Sequence, residues 1–269
     1  MAEADLDTLQ AAVLSSRKYA QVAPDLVRSL GACELTKRRN MREAIKATKD
    51  RLHQIAGAYL ERPPDYARWL GQLEQAQAEG PEALCAACRR IMAAHASARE
   101  RLGILDRFYA ETLRDLPPIR RVLDIACGLN PLATPWMPLA PGAEYYAYDI
   151  YRDLADFCRR WLALLGLAGG AEACDILANI PRQEADLALV LKALPCLEQI
   201  DKEAGRQLLE RLRARYLLVS FPVRSLGGVS KGMPTTYEAH FQELVAGHPW
   251  RVQRFSFPSE LAFLVDKRA

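Results

Sequence analysis

The sequence predicts an α/β protein in two parts: an all-helical N-terminal region, then a doubly wound, largely parallel sheet. Three observations carry this expectation. Apolar residues recur at spacings of three and four up to about residue 116, the period of amphipathic helices. Pro117-Pro118 then interrupts the pattern. Beyond the prolines, short apolar runs alternate with amphipathic stretches, as strands and helices do in a layered α/β fold.

Taken in order, Leu6, Leu9, Val13 and Leu14 mark a first helix. Pro24-Asp25 opens a second, with the Asp25 carboxylate near its positive N-terminal end. In MREAIKATKDRLHQIAGAYL, the residues Ile45, Leu52, Ile55 and Tyr59 form one stripe, and Arg62-Pro63-Pro64 stops the helix. Another helix covers Tyr66–Glu79 and ends at Gly80-Pro81; a long one runs from Glu82 towards Leu102, and a last one to Leu116. The runs Arg121–Ala126, Glu144–Asp149, Ala185–Leu191 and Tyr216–Phe221 read as parallel strands covered on both faces, where polar alternation is lost. Helices over Leu154–Leu165 and Ile200–Arg213 lie between them, and RVQRFSF and ELAFLVD, separated by Pro258-Ser259, form a closing antiparallel hairpin. The expected domains are 1–116 and 117–269.

With 50% hydrophobic and 26% charged residues, the 269-residue chain has a globular balance. It has no apolar run of about 18 residues, so no membrane span is expected. The opening MAEADLDTLQ lacks the charged-then-apolar order of a secretory signal. Seven scattered cysteines fit a reducing cytoplasm better than a disulfide framework. A net charge of +3 does not by itself indicate nucleic acid. Its distribution says more: residues 17–51 hold ten Lys/Arg against four acids. That excess reads equally as a solvated helical face and as a footprint for phosphates.

In an open α/β sheet, ligands bind at the carboxyl ends of the strands, at the switch point. The first such end is Asp124-Ile125-Ala126-Cys127-Gly128, where small residues let the backbone approach a ligand. The second ends at Asp149, placed to accept both hydroxyls of a ribose, and Asp175 follows the next short strand, where an adenine amino group would lie. Dinucleotide binding competes with this reading. However, positions 126, 128 and 130 hold Ala, Gly and Asn instead of three glycines, and no pyrophosphate cradle is evident. S-adenosylmethionine (SAM), which has no phosphates, tolerates that loss better.

Longer strings narrow the reading. HASARERLGILDRFY (95–109), VLDIACGLNPLATPWM (122–137), LVLKALPCLE (189–198) and VSFPVRSLGGVSKGM (219–233) resemble the aminoglycoside-resistance 16S rRNA methyltransferases that act on N7 of guanine 1405. SSRKYAQVAPDLVRSL and KATKDRLHQIAGAYL resemble that family's helical N-terminal domain, so the similarity spans nearly the whole chain in order. It implies a Rossmann-like class I SAM-dependent methyltransferase domain behind a helical domain that docks on the 30S subunit. It further implies SAM as methyl donor, S-adenosylhomocysteine as product, and resistance to drugs such as gentamicin and kanamycin. A monomer that works in the cytoplasm without metal is expected.

By the same resemblance Arg101 would hold the cofactor's methionine carboxylate with its guanidinium fork. Ala126 and Gly128 would line the first turn, Asp149 and Ile150 the ribose, and Asp175 and Ile176 the adenine. Without the resemblance, Arg101 reads as a surface arginine paired with Glu100 or Asp106, and Asp175 as a helix cap. Lys192 ends the fourth strand at the reaction pocket, as a cofactor neighbour and as a donor to guanine O6 or a phosphate; its bland reading is a strand-end lysine reaching solvent. No general base is required, because guanine N7 has an in-plane lone pair and no proton to lose. Arg17, Lys18, Lys49, Arg51, Arg224 and Lys231 are the candidates for rRNA contact, with Met233, or Phe221, packing against an extruded base. The alternatives are a methyltransferase for another rRNA or tRNA nucleotide, or a SAM- and RNA-binding module without turnover. Cys85-Ala-Ala-Cys88 has no second pair for zinc, Cys127 has no evident base, and His53 and His95 read as packing residues.

Overall fold

A computed structural model describes residues 3–56, 64–223 and 233–268. Three helices come first: α1 (Glu3–Leu14), α2 (Pro24–Lys37) and α3 (Met41–Ala56). Their apolar stripes meet in a core of their own, in which Leu9, Val13, Val27 and Leu52 are fully buried. Next come α4 (Tyr66–Glu79), α5 (Pro81–Met92), α6 (Ala96–Arg101) and α7 (Leu105–Thr112). These bury Leu73, Cys88, Met92 and Phe108 in a second core together with sheet residues such as Val122 and Leu187. The first three helices thus have a core of their own on which Ile150, Tyr151 and Ile200 also pack, α4–α7 share one with the sheet, and Pro117 and Pro118 are exposed points where helix gives way to strand.

The stretch from Glu82 to Leu102 is not one helix. It breaks after Met92 in a turn closed by Ala94 N to Ile91 O and His95 N to Met92 O. The extended backbone of His95 then starts α6 in a new direction. No proline or glycine signals this break; it is set by what His95 and Arg101 reach in the interior, described below.

The strands are β1 (Ile119–Ile125), β2 (Leu139–Asp149), β3 (Ala168–Ala173), β4 (Ala185–Leu191), β5 (Ala214–Pro222), β6 (Arg251–Ser256) and β7 (Glu260–Asp266). They form one sheet in the order β3-β2-β1-β4-β5-β7-β6, parallel except for β7. The apolar runs are buried on both faces because each strand alternates its side chains between two layers. Val122 and Leu189 face α4, α5 and α8 (Arg152–Leu164), whereas Leu123 and Val190 face the layer of α9 (Leu194–Leu197), α10 (Ala204–Arg211) and α11 (Met233–Val245). The order reverses between β1 and β4, which places a switch-point crevice at their carboxyl ends. Among the described residues no helix is long and apolar enough to cross a membrane.

Candidate active site

A cleft of about 990 Å³, its open mouth included, lies at the carboxyl ends of β1 to β4. Ala126 and Gly128 come from the turn after β1, Asp149 and Ile150 from the end of β2, Asp175 and Ile176 from beyond β3, and Lys192 from the end of β4. Leu26 and Ile55 of the N-terminal helices also line it. Of the expected cofactor residues, Arg101 alone does not line it.

The first turn is tight. Ala126 and Gly128 have φ of 51° and 50°, a region that side chains disfavour. A Cβ on Gly128 would lie 3.0 Å from Cε1 and Nε2 of the His95 ring, so conformation and packing both demand glycine here. Burial lowers the His95 pKa to about 4, assisted by the nearby positive charges of Lys192, Arg101 and Arg99, so its ring is neutral at neutral pH. Asp149 ties the turn to β2: Oδ2 accepts from Gly128 N at 2.8 Å, and Oδ1 accepts from Ile150 N at 2.7 Å. Burial raises the Asp149 pKa while these backbone N–H groups oppose the rise. Asp175, 5% exposed, uses Oδ1 to cap the next turn, accepting from Leu177 N at 3.1 Å. The sequence reading of a helix cap is corrected: no helix follows, and the Asp175 carboxylate closes a turn while its side chain stays in the cleft wall.

Lys192 is the other non-glycine residue with positive φ among those described, at 58°. Such backbone strain persists only where surroundings enforce it, and it clusters at functional sites. Its Nζ donates to Ser97 O at 3.1 Å and Glu100 Oε2 at 2.8 Å, and lies 3.4 Å from Glu260 Oε2. Glu260, fully buried at the start of β7, also receives Arg101 Nε at 3.1 Å, Arg101 Nη2 at 2.7 Å and Ser220 Oγ at 2.5 Å. These two cations hold its carboxyl below the usual range despite burial.

Arg101 is consequently turned inward and only 1% exposed, paired with Glu260 and not with Glu100 or Asp106. Its Nη1 donates to Asn130 Oδ1 at 2.8 Å, which also accepts from Tyr109 OH at 2.5 Å. Asn130 Nδ2 in turn donates to Asp124 Oδ2 at 2.9 Å. Burial raises the Asp124 pKa to about 6, against hydrogen bonds from Tyr145 and Asn130. A buried polar chain thus runs from Asp124 through Asn130, Arg101 and Glu260 to Lys192. The asparagine that replaces the third glycine of the general fingerprint is its hub.

An apolar cleft with acids at the ends of β2 and β3 suits a nucleoside that offers hydroxyls and an amino group. Among the described residues the cleft shows no phosphate cradle: the backbone N–H groups at Gly128 and Ile150 are taken by Asp149. A ligand without phosphates fits these residues. Among the described residues no cluster of His, Cys, Asp or Glu could hold a metal.

Comparison with known proteins decides the family. The model of the ribosomal RNA methyltransferase family FmrO matches residues 15–264. The chain belongs to this family. It is 39% identical to the 16S rRNA (guanine(1405)-N(7))-methyltransferase of Micromonospora echinospora, with 97% of each chain covered. Its identity to the protein of the same name from Frankia casuarinae is 42%, covering 98% of this chain and 95% of the relative. Among solved structures, the 16S rRNA methyltransferase RmtF in complex with S-adenosyl-L-homocysteine superposes with a TM-score of 0.80. That match has 32% identity over 99% of both chains.

The residues of this methyltransferase assigned to rRNA are dispersed. Arg17 and Lys18 are exposed, and Lys18 Nζ lies 2.9 Å from His53 Nδ1. Lys49 is half-buried, and its carbonyl accepts from Tyr19 OH at 3.0 Å. Arg51 is engaged internally: Nη2 donates to Ile200 O at 2.9 Å, and Nη1 lies 3.5 Å from the buried Glu34. Arg224 and Lys231 lie outside the described residues, and Met233 opens α11. Phe221 is fully buried and stacks on Tyr237 at 4.9 Å, so it is core and not a platform for a base. Burial pushes the Cys88 thiol up to about 12, which makes it an inert core residue. Sequence reasoning missed Glu260 and Asn130. The only local signal for Glu260 was an acid opening an otherwise apolar strand.

Proposed function

We propose that this methyltransferase transfers a methyl group from SAM to N7 of guanine 1405 of 16S rRNA within the 30S subunit, and so confers aminoglycoside resistance. The relatives' shared name at 39–42% identity over nearly the full chain is the observation that carries the proposal. SAM, when bound, supplies an electrophilic methyl on a sulfonium centre. Asp149 and Ile150 would hold its ribose, Asp175 and Ile176 its adenine, and Ala126 and Gly128 its path past the first turn. Arg101 would set the carboxylate end from behind the cleft wall, through one N–H left on each of Nη1 and Nη2 after its bonds to Glu260 and Asn130.

Chemistry at N7 asks for alignment and exclusion of water, not for proton removal. Lys192, at a strained strand end beside the neutral His95, would meet that demand as a donor by exchanging one of the bonds its Nζ makes to Ser97 O, Glu100 and Glu260. It would orient guanine through O6 or an adjacent phosphate. Arg17 and Lys18, with Lys49, would dock the N-terminal helices on rRNA by shape and phosphate. The protein would act as a monomer in the cytoplasm. The test is incubation of 30S subunits with the protein and methyl-labelled SAM. Label in 16S rRNA is expected, and unlabelled rRNA beside active cofactor binding would overturn the proposal.

A further inference from the structure

The loops that follow β2, β3 and β4 are each held by residues 3–56. After β2, Ala23 N donates to Ile150 O at 2.7 Å, and Arg152 N donates to Gln21 O at 2.8 Å. After β3, the Asp25 carboxylate reaches across: its Oδ2 accepts from Asp175 N at 2.8 Å and from Asn179 Nδ2 at 2.9 Å. Farther along, Arg51 Nη2 donates to Ile200 O at 2.9 Å. Leu26, next to Asp25, lines the cleft itself.

An appendage that served only to dock on rRNA would not need to grip the cofactor loops. Asp25 stands at the start of α2, where its Oδ1 accepts from Leu26 N at 3.0 Å. The other oxygen is committed to a backbone amide 150 residues away. Asp175 is buried and this bond is part-buried, so water replaces the carboxylate only incompletely. Fixing it sets the turn that Asp175 caps, and with it the side of Ile176 that faces the cleft.

We propose that Asp25 is a positioning residue for the cofactor's adenine, and that the adenine wall is built jointly by the N-terminal helices and the sheet. This inference rests on the SAM-site reading above. One consequence is reciprocal coupling: a force that shifts the three helices on rRNA is felt at the adenine wall, and adenine binding is felt by the helices.

The test uses the full-length chain. The unsubstituted protein and Asp25→Ala are titrated calorimetrically with S-adenosylhomocysteine and with S-inosylhomocysteine, in which an oxo group replaces the adenine amino group. The unsubstituted protein should prefer the adenosyl ligand. Asp25→Ala should weaken that ligand about tenfold or more, the scale of one lost charge-assisted hydrogen bond, and should shrink the adenosyl-to-inosyl preference. A partly unfolded variant lowers the binding stoichiometry without changing that ratio, so the ratio separates positioning from folding. Affinity within about twofold of the unsubstituted protein, or weaker binding with the ratio intact, would overturn the proposal. Failure of the unsubstituted protein to bind S-adenosylhomocysteine would instead overturn the SAM reading, and this inference with it.

Discussion

Glu260→Gln isolates the role of the buried network. Glu260 is 0% exposed and is the shared anion of Arg101, at 2.7 Å, and Lys192, at 3.4 Å. Glutamine preserves volume and one acceptor but removes the charge. Arg101 then loses its ion-pair partner while Lys192 keeps only Glu100, and removing one partner of a buried pair costs about 3–5 kcal/mol. For a chain of this size each kcal/mol lowers the melting temperature by about 2–4 °C, so a fall of roughly 6–20 °C is expected. Glu34→Gln is the internal control. Glu34 is also buried, at 3%, but its partners Arg38 and Arg51 have side chains 45% and 21% exposed. Water can resolvate those arginines, so the loss there should be smaller. Calorimetric melting of both variants measures the contrast. A Glu260→Gln midpoint within about 2 °C of the unsubstituted protein, or a larger loss for Glu34→Gln, would refute the assignment of Glu260 as a required counter-ion.

Four other outcomes are expected. Lys192→Ala should reduce methylation of 30S subunits by about a hundredfold, the lower range for one positioned donor; unchanged labelling in a single-turnover assay would remove Lys192 from the reaction. Paired reversal of the exposed Arg17 and Lys18 to glutamate should abolish 30S binding while S-adenosylhomocysteine affinity stays constant in parallel titrations, whereas Arg51→Glu should lower the melting temperature because Arg51 bridges Glu34 and Ile200. His95 makes stability pH-dependent. Its folded pKa is lowered to about 4 from 6.5, so as pH falls through this window the unfolded chain takes up a proton that the folded chain refuses, and stability drops. Asp124, raised to about 6 from 3.8, works in the opposite sense, its contribution being lost as pH rises through that range. In His95→Gln, urea midpoints between pH 6.5 and 4 should therefore decline less than in the unsubstituted protein, and an identical decline would exclude His95 as the source.

What was legible in the sequence was local. Runs such as Ala185–Leu191 announce strands buried on both faces, and an acid at the end of a strand, as at Asp149, announces a place in the crevice. β2 was harder to delimit, because it continues back to Leu139 through Pro141 and Gly142, residues that ordinarily mark turns. The break between α5 and α6 was invisible for another reason. Ala93–Ala98 is good helix sequence, and the change of direction accompanies the burial of His95 against Gly128 and the pairing of Arg101 with Glu260, 159 residues away. The same distance hid the burial of Arg101, which reads locally as one more charge in HASARER. Asp25 looked like a helix-start acid, and nothing nearby reveals its bond to the Asp175 backbone.

The most direct measurement locates the methyl group. 30S subunits treated with the protein and SAM are stripped of protein, and their 16S rRNA is cleaved with borohydride and aniline, which break the chain at N7-methylguanine. Primer extension should stop at guanine 1405 in treated subunits and read through in untreated ones. A stop at another guanine, or read-through in treated subunits that carry the label, would contradict the assignment of N7 of this nucleotide as the target.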